Sequence, residues 1–157
     1  MDASVCLDLH YLRREVLAAR RRGRVIVEFT DGDEVENDNE ARVLADEMIA
    51  LVNLPTLGPH WFAADKARAT DIIVHVLQKD LESLDDTVPE PWARDLASRL
   101  VELFGAKARY LTNVRPSMDL EKSPHQWASG HTQAELDAGV ALISNQLLSL
   151  FWVEDRP

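Results

Sequence analysis

HWFAADKARATDIIVHVLQKDLESLDD, His60 to Asp86, is the stretch whose reading sets the fold class. At helical period Phe62, Ala69, Ile73, Val76, Leu77, Leu81 and Leu84 fall on one stripe. Asp65, Lys66, Arg68, Gln78, Lys79, Asp80 and Asp85 lie mostly off it. No Gly or Pro interrupts the run between Pro59 and Pro89, so the spacing predicts one long amphipathic helix. Its core, Ile72-Ile73-Val74, is a dense apolar run, as expected of a helix buried on more than one side.

Working outward, three more segments read as helices. Val5 to Arg22 carries Val5, Leu9, Leu12, Val16 and Ala19 at helical spacing and ends in arginines before Gly23. Cations there complement the helix dipole, and Gly23 stands where a terminating glycine belongs. The arginine run also invites pairing with the acids that follow. Glu40 to Val52 repeats Val43, Leu44, Met48 and Leu51, with Asp38 or Asn39 as its cap. After the breakers in Thr87–Pro91, a helix begins near Pro91 with Trp92, Leu96, Leu100, Leu103 and Phe104 facing inward. A fifth helix is expected from Thr132 and Glu135, which match a capping box. Through it Leu136, Val140, Ile143, Leu147 and Leu150 or Phe151 recur at helical spacing.

One stretch differs. Arg24 to Thr30, RVIVEFT, is rich in β-branched and aromatic residues and closes on Asp31-Gly32, a strand with a turn after it. A strand needs a partner for its backbone groups. Ala108 to Val114 is the best candidate within the chain; a second copy, or another protein's sheet edge, is the alternative. The expected architecture is mainly α: one domain over 1–157, a bundle of about five helices with one short strand or hairpin near the N-terminus.

Composition narrows the function classes. A hydrophobic fraction of 46% with 28% charged residues fits a folded domain rather than a disordered chain. No apolar run reaches the roughly 18 residues that span a bilayer. Asp2 and Asp8 precede any basic residue, the reverse of a secretory signal, so a cytoplasmic protein is expected. The single Cys6 suits a reducing compartment and reads as a small buried hydrophobe. Twenty-seven acids against 17 bases give a net charge of −10, which disfavours nucleic acid and anionic membranes and favours a basic protein partner.

The acids are not spread evenly. DGDEVENDNE packs Asp31, Asp33, Glu34, Glu36, Asp38 and Glu40 into ten residues. A calcium loop is a poor match, because Val35 stands at its fifth position and no glycine at its sixth. Capping of the following helix together with a solvated loop is the first reading of the cluster, an acidic patch for a basic surface the second, and a metal site the last. The irregular stretch Arg115–Gly130 adds His125 and Trp127, residue types common in binding loops, though Trp127 serves equally as an anchor onto the core. His131 follows, but a His125–His131 spacing of six matches no common zinc motif.

Asp71 and His75, four apart on one helix face, form the best acid/base or ligand pair, with His60 or His131 as further members. No phosphate loop, dinucleotide glycine motif, HExxH, nucleophile elbow or cysteine cluster occurs. No cofactor or metal is therefore expected. The leading expectation is a small acidic binding protein that neutralises a basic partner, with an immunity-type inhibitor of a toxin first among such proteins. A helical-bundle enzyme or metal protein built on Asp71 and His75 is the alternative. A nucleic-acid mimic ranks below both, because its carboxylates should form an extended stripe. A homodimer stays open for all three.

Overall fold

The computed structural model of the chain describes residues 2–81, 85–128 and 136–155. Its elements run α1 (Ala3–Ala19), β1 (Arg24–Asp31), α2 (Asp38–Leu51), a 3-10 turn (Gly58–His60), β2 (Phe62–Ala64) and α3 (Lys66–Gln78). They continue with α4 (Glu90–Glu102), β3 (Arg109–Thr112), α5 (Pro124–Trp127), β4 (Leu136–Ile143) and β5 (Leu147–Asp155). The strands form one antiparallel sheet in the order β1-β5-β4-β3-β2. The mainly-α expectation, an all-alpha helical bundle, is thereby corrected: the protein is α+β, and its sheet is the middle layer.

The correction turns on Leu136 to Asp155. Every residue of β4 and β5 is buried, because helices cover both faces of the sheet. Leu136, Ala138, Val140, Leu142, Leu147, Phe151 and Val153 face a core shared with α1, α3 and α4. Ala141, Ile143, Leu148, Leu150 and Trp152 face a second core shared with α2 and the segment Leu54–Trp61. A strand buried on two sides loses its polar/apolar alternation, and an apolar run then mimics a helix stripe. The hairpin turn is Ser144-Asn145-Gln146: the Ser144 hydroxyl accepts from Leu147 N at 3.0 Å, and Ser144 N donates to Leu147 O at 2.8 Å. The expected Thr132/Glu135 capping box lies outside the described residues.

The stretch His60–Asp86 is also divided. Phe62–Ala64 pairs with β3, and Asp65 then caps α3 by accepting from Arg68 N at 2.7 Å. The helix stops at Gln78, well short of the expected length; Leu81 is buried just beyond it, and Leu84 lies outside the described residues. RVIVEFT is the expected strand, but its partner is β5 in register Arg24↔Glu154 to Asp31↔Leu147. The expected partner Ala108–Val114 does contain a strand, β3, but it lies further along the sheet, beyond β5 and β4.

Helix α1 ends before the arginine run. Arg20 turns inward and is enclosed: its guanidinium meets Asp155 at 2.6 and 3.1 Å and donates to Val76 O and Lys79 O, with Arg22 O also close. Asp155 in addition accepts from Leu81 N at 2.7 Å. One ion pair so ties α1, the end of α3 and the last strand together. Gly23 is required beside it: φ is +69°, and a Cβ there would lie 1.8 Å from Asp155 Oδ1. Of the arginine run, expected to meet the acids of 31–40, Arg20 pairs with Asp155 and Arg22 with Asp85.

Candidate functional site

Asp31, the β4–β5 turn and the start of β3 share one end of the sheet. From Asp31 the chain crosses that end and enters α2. It passes so close to the turn that a Cβ on Gly32 would sit 2.3 Å from Ser144 O. Asp33, Glu34 and Val35 then line a hollow of about 240 Å³ with Phe104, Lys107, Arg109, Ile143, Ser144 and Asn145.

The six carboxylates divide by task. Asn37, not Asp38 or Asn39, caps α2, accepting from Glu40 N at 2.9 Å, while Glu40 accepts from Glu36 N at 2.9 Å. Asp38 pairs with Arg109 at 2.9 Å, and the same guanidinium donates to Glu36 O at 3.0 Å. Asp33 accepts from Glu34 N at 2.8 Å. The backbone is thus fixed at several points, and Asp33, Glu34, Glu36 and Glu40 lie toward solvent with Asp31. Three cations, Arg42, Lys107 and Arg109, stand near the six acids of 31–40, which leaves this stretch net negative in charge.

The other expected site residues lie elsewhere. Trp127 is 3% exposed, packs in the first core and donates from its indole N–H to Lys122 O at 3.0 Å. It anchors the loop. His125, two residues before it, is exposed. Asp71 and His75 share a helix but not a task. The Asp71 carboxylate meets Arg94 at 3.2 Å, and His75 contacts Asp71 O at 2.8 Å and Glu121 at 3.3 Å. Arg94 titrates above the ordinary arginine value because Glu90 and then Asp71 accept its hydrogen bonds. Among the described residues no three His, Cys, Asp or Glu side chains gather as metal ligands would. His131 lies outside them.

A second feature is not readable from the sequence. A groove of about 450 Å³ follows the open edge of β1, walled by Arg13 and Leu17 of α1 and by Met48, Leu51 and Val52 at the end of α2. Leu51, expected on the inward stripe of α2, is 75% exposed; Ala41, Ala45, Met48 and Ile49 are the buried face. Small alanines let α2 approach the sheet closely, which rotates its buried face away from Val43 and Leu51. The signal lies in those alanines, but an apolar stripe of larger residues outweighs it.

No helix among the described residues is long and apolar enough to cross a membrane. No protein-family model, no curated protein and no solved structure matches the chain.

Proposed function

We propose that this protein is a small cytoplasmic binding protein that neutralises a basic protein partner, in the manner of an immunity-type inhibitor of a toxin. The observation that carries the reading is the loop of Asp31, Asp33, Glu34, Glu36, Asp38 and Glu40, whose backbone is pinned by Asn37 and Arg109 while most of its carboxylates face solvent. A pinned loop loses little conformational freedom when it docks, so its charge is presented ready-made. Together with the net charge of −10, it steers a cationic surface toward one end of the sheet. His125 and Trp127 lie on another part of the molecule, with Trp127 against His75 of α3, so the reading rests on the carboxylates of 31–40 alone. Asp71, already engaged by Arg94, gives an enzymatic reading little to start from.

The test is capture from the native host with the immobilised protein. A basic protein retained at low salt and released as ionic strength rises supports the reading. Recovery of no basic protein at low salt overturns it.

A further inference from the structure

We draw no further inference here: the strongest candidate, the groove along the open edge of β1 between Leu17 of α1 and Leu51 of α2, carries none, because nothing in the structure shows what covers it.

Discussion

Asp155 and Glu36 carry the same chemical group in opposite surroundings. Asp155 is enclosed, bidentate to Arg20 and bonded to Leu81 N; Glu36 is exposed, and it is its backbone that Arg109 and Glu40 hold. The first holds three elements together and presents nothing outward. The second adds little to the fold and faces whatever approaches. A carboxylate in this protein is therefore placed by its partners rather than by its type, and the division can be tested from its buried end to its exposed one.

The largest effect is expected at Asp155. Asp155→Ala leaves the Arg20 guanidinium buried without its anion, a loss of about 3–5 kcal/mol. At the usual slope for a chain of this size, the melting temperature falls by on the order of 10 °C. Replacing both partners with apolar residues should cost less than replacing Asp155 alone. A single variant that melts with the parent protein breaks the comparison at its strong end.

Asp46 is the intermediate case. It is half-buried on α2 and accepts from Leu57 N at 2.9 Å, Gly58 N at 3.1 Å and the Trp61 indole N–H at 2.7 Å. It thereby fixes the segment that presents Trp61 to Trp152, whose rings meet edge-on at 5.8 Å. Asp46→Ala strands these donors and is expected to cost about 1–3 kcal/mol in urea unfolding, with a change in tryptophan fluorescence.

Tyr110 sharpens the rule from the neutral side. Its hydroxyl is buried with no hydrogen-bond partner among the described residues, and burial raises its pKa above the ordinary tyrosine value. The folded state keeps the phenol proton where the unfolded chain has begun to release it. Stability is therefore untouched by this group below about pH 10 and falls as pH rises from there through the raised value, because the unfolded chain ionises first. Tyr110→Phe is expected to be neutral or to stabilise by up to about 1 kcal/mol at pH 7. It should also flatten the alkaline decline in the urea midpoint.

Much of the fold is legible in single segments. RVIVEFT reads as a strand, and apolar repeats mark the helices of 3–19, 38–51 and 90–102, though in 38–51 the face that is buried is not the stripe expected. What the residues hide is which surfaces meet. β4 and β5 are apolar on both faces because α2 lies behind them, a fact that resides in residues far upstream in the chain. Their helical spacing is a by-product of having few polar residues at all. Gly139 and the Ser144-Asn145-Gln146 turn are the available signals against a helix there. Trp92, expected inward, is about half exposed for a related reason: the buried face of α4 is set by Ala93, Leu96, Ala97 and Leu100 against α1 and α3.

The acidic cluster is visible at once in the sequence, but its division of labour is not. Arg109, which engages Asp38 and Glu36 O, lies 71 residues beyond Asp38. Capping by Asn37 falls one residue from the expected position, a difference of the size by which helix ends ordinarily vary.

The most direct measurement is the association rate of the captured basic partner with a variant carrying Asp33→Asn, Glu34→Gln and Glu36→Gln together. Asparagine at 33 keeps the acceptor for Glu34 N, so the loop holds its shape and the melting temperature should move by less than about 2 °C. The account expects the rate at low salt to fall by about tenfold or more and to lose most of its dependence on ionic strength. An unchanged rate and an unchanged salt slope in the folded variant would contradict it.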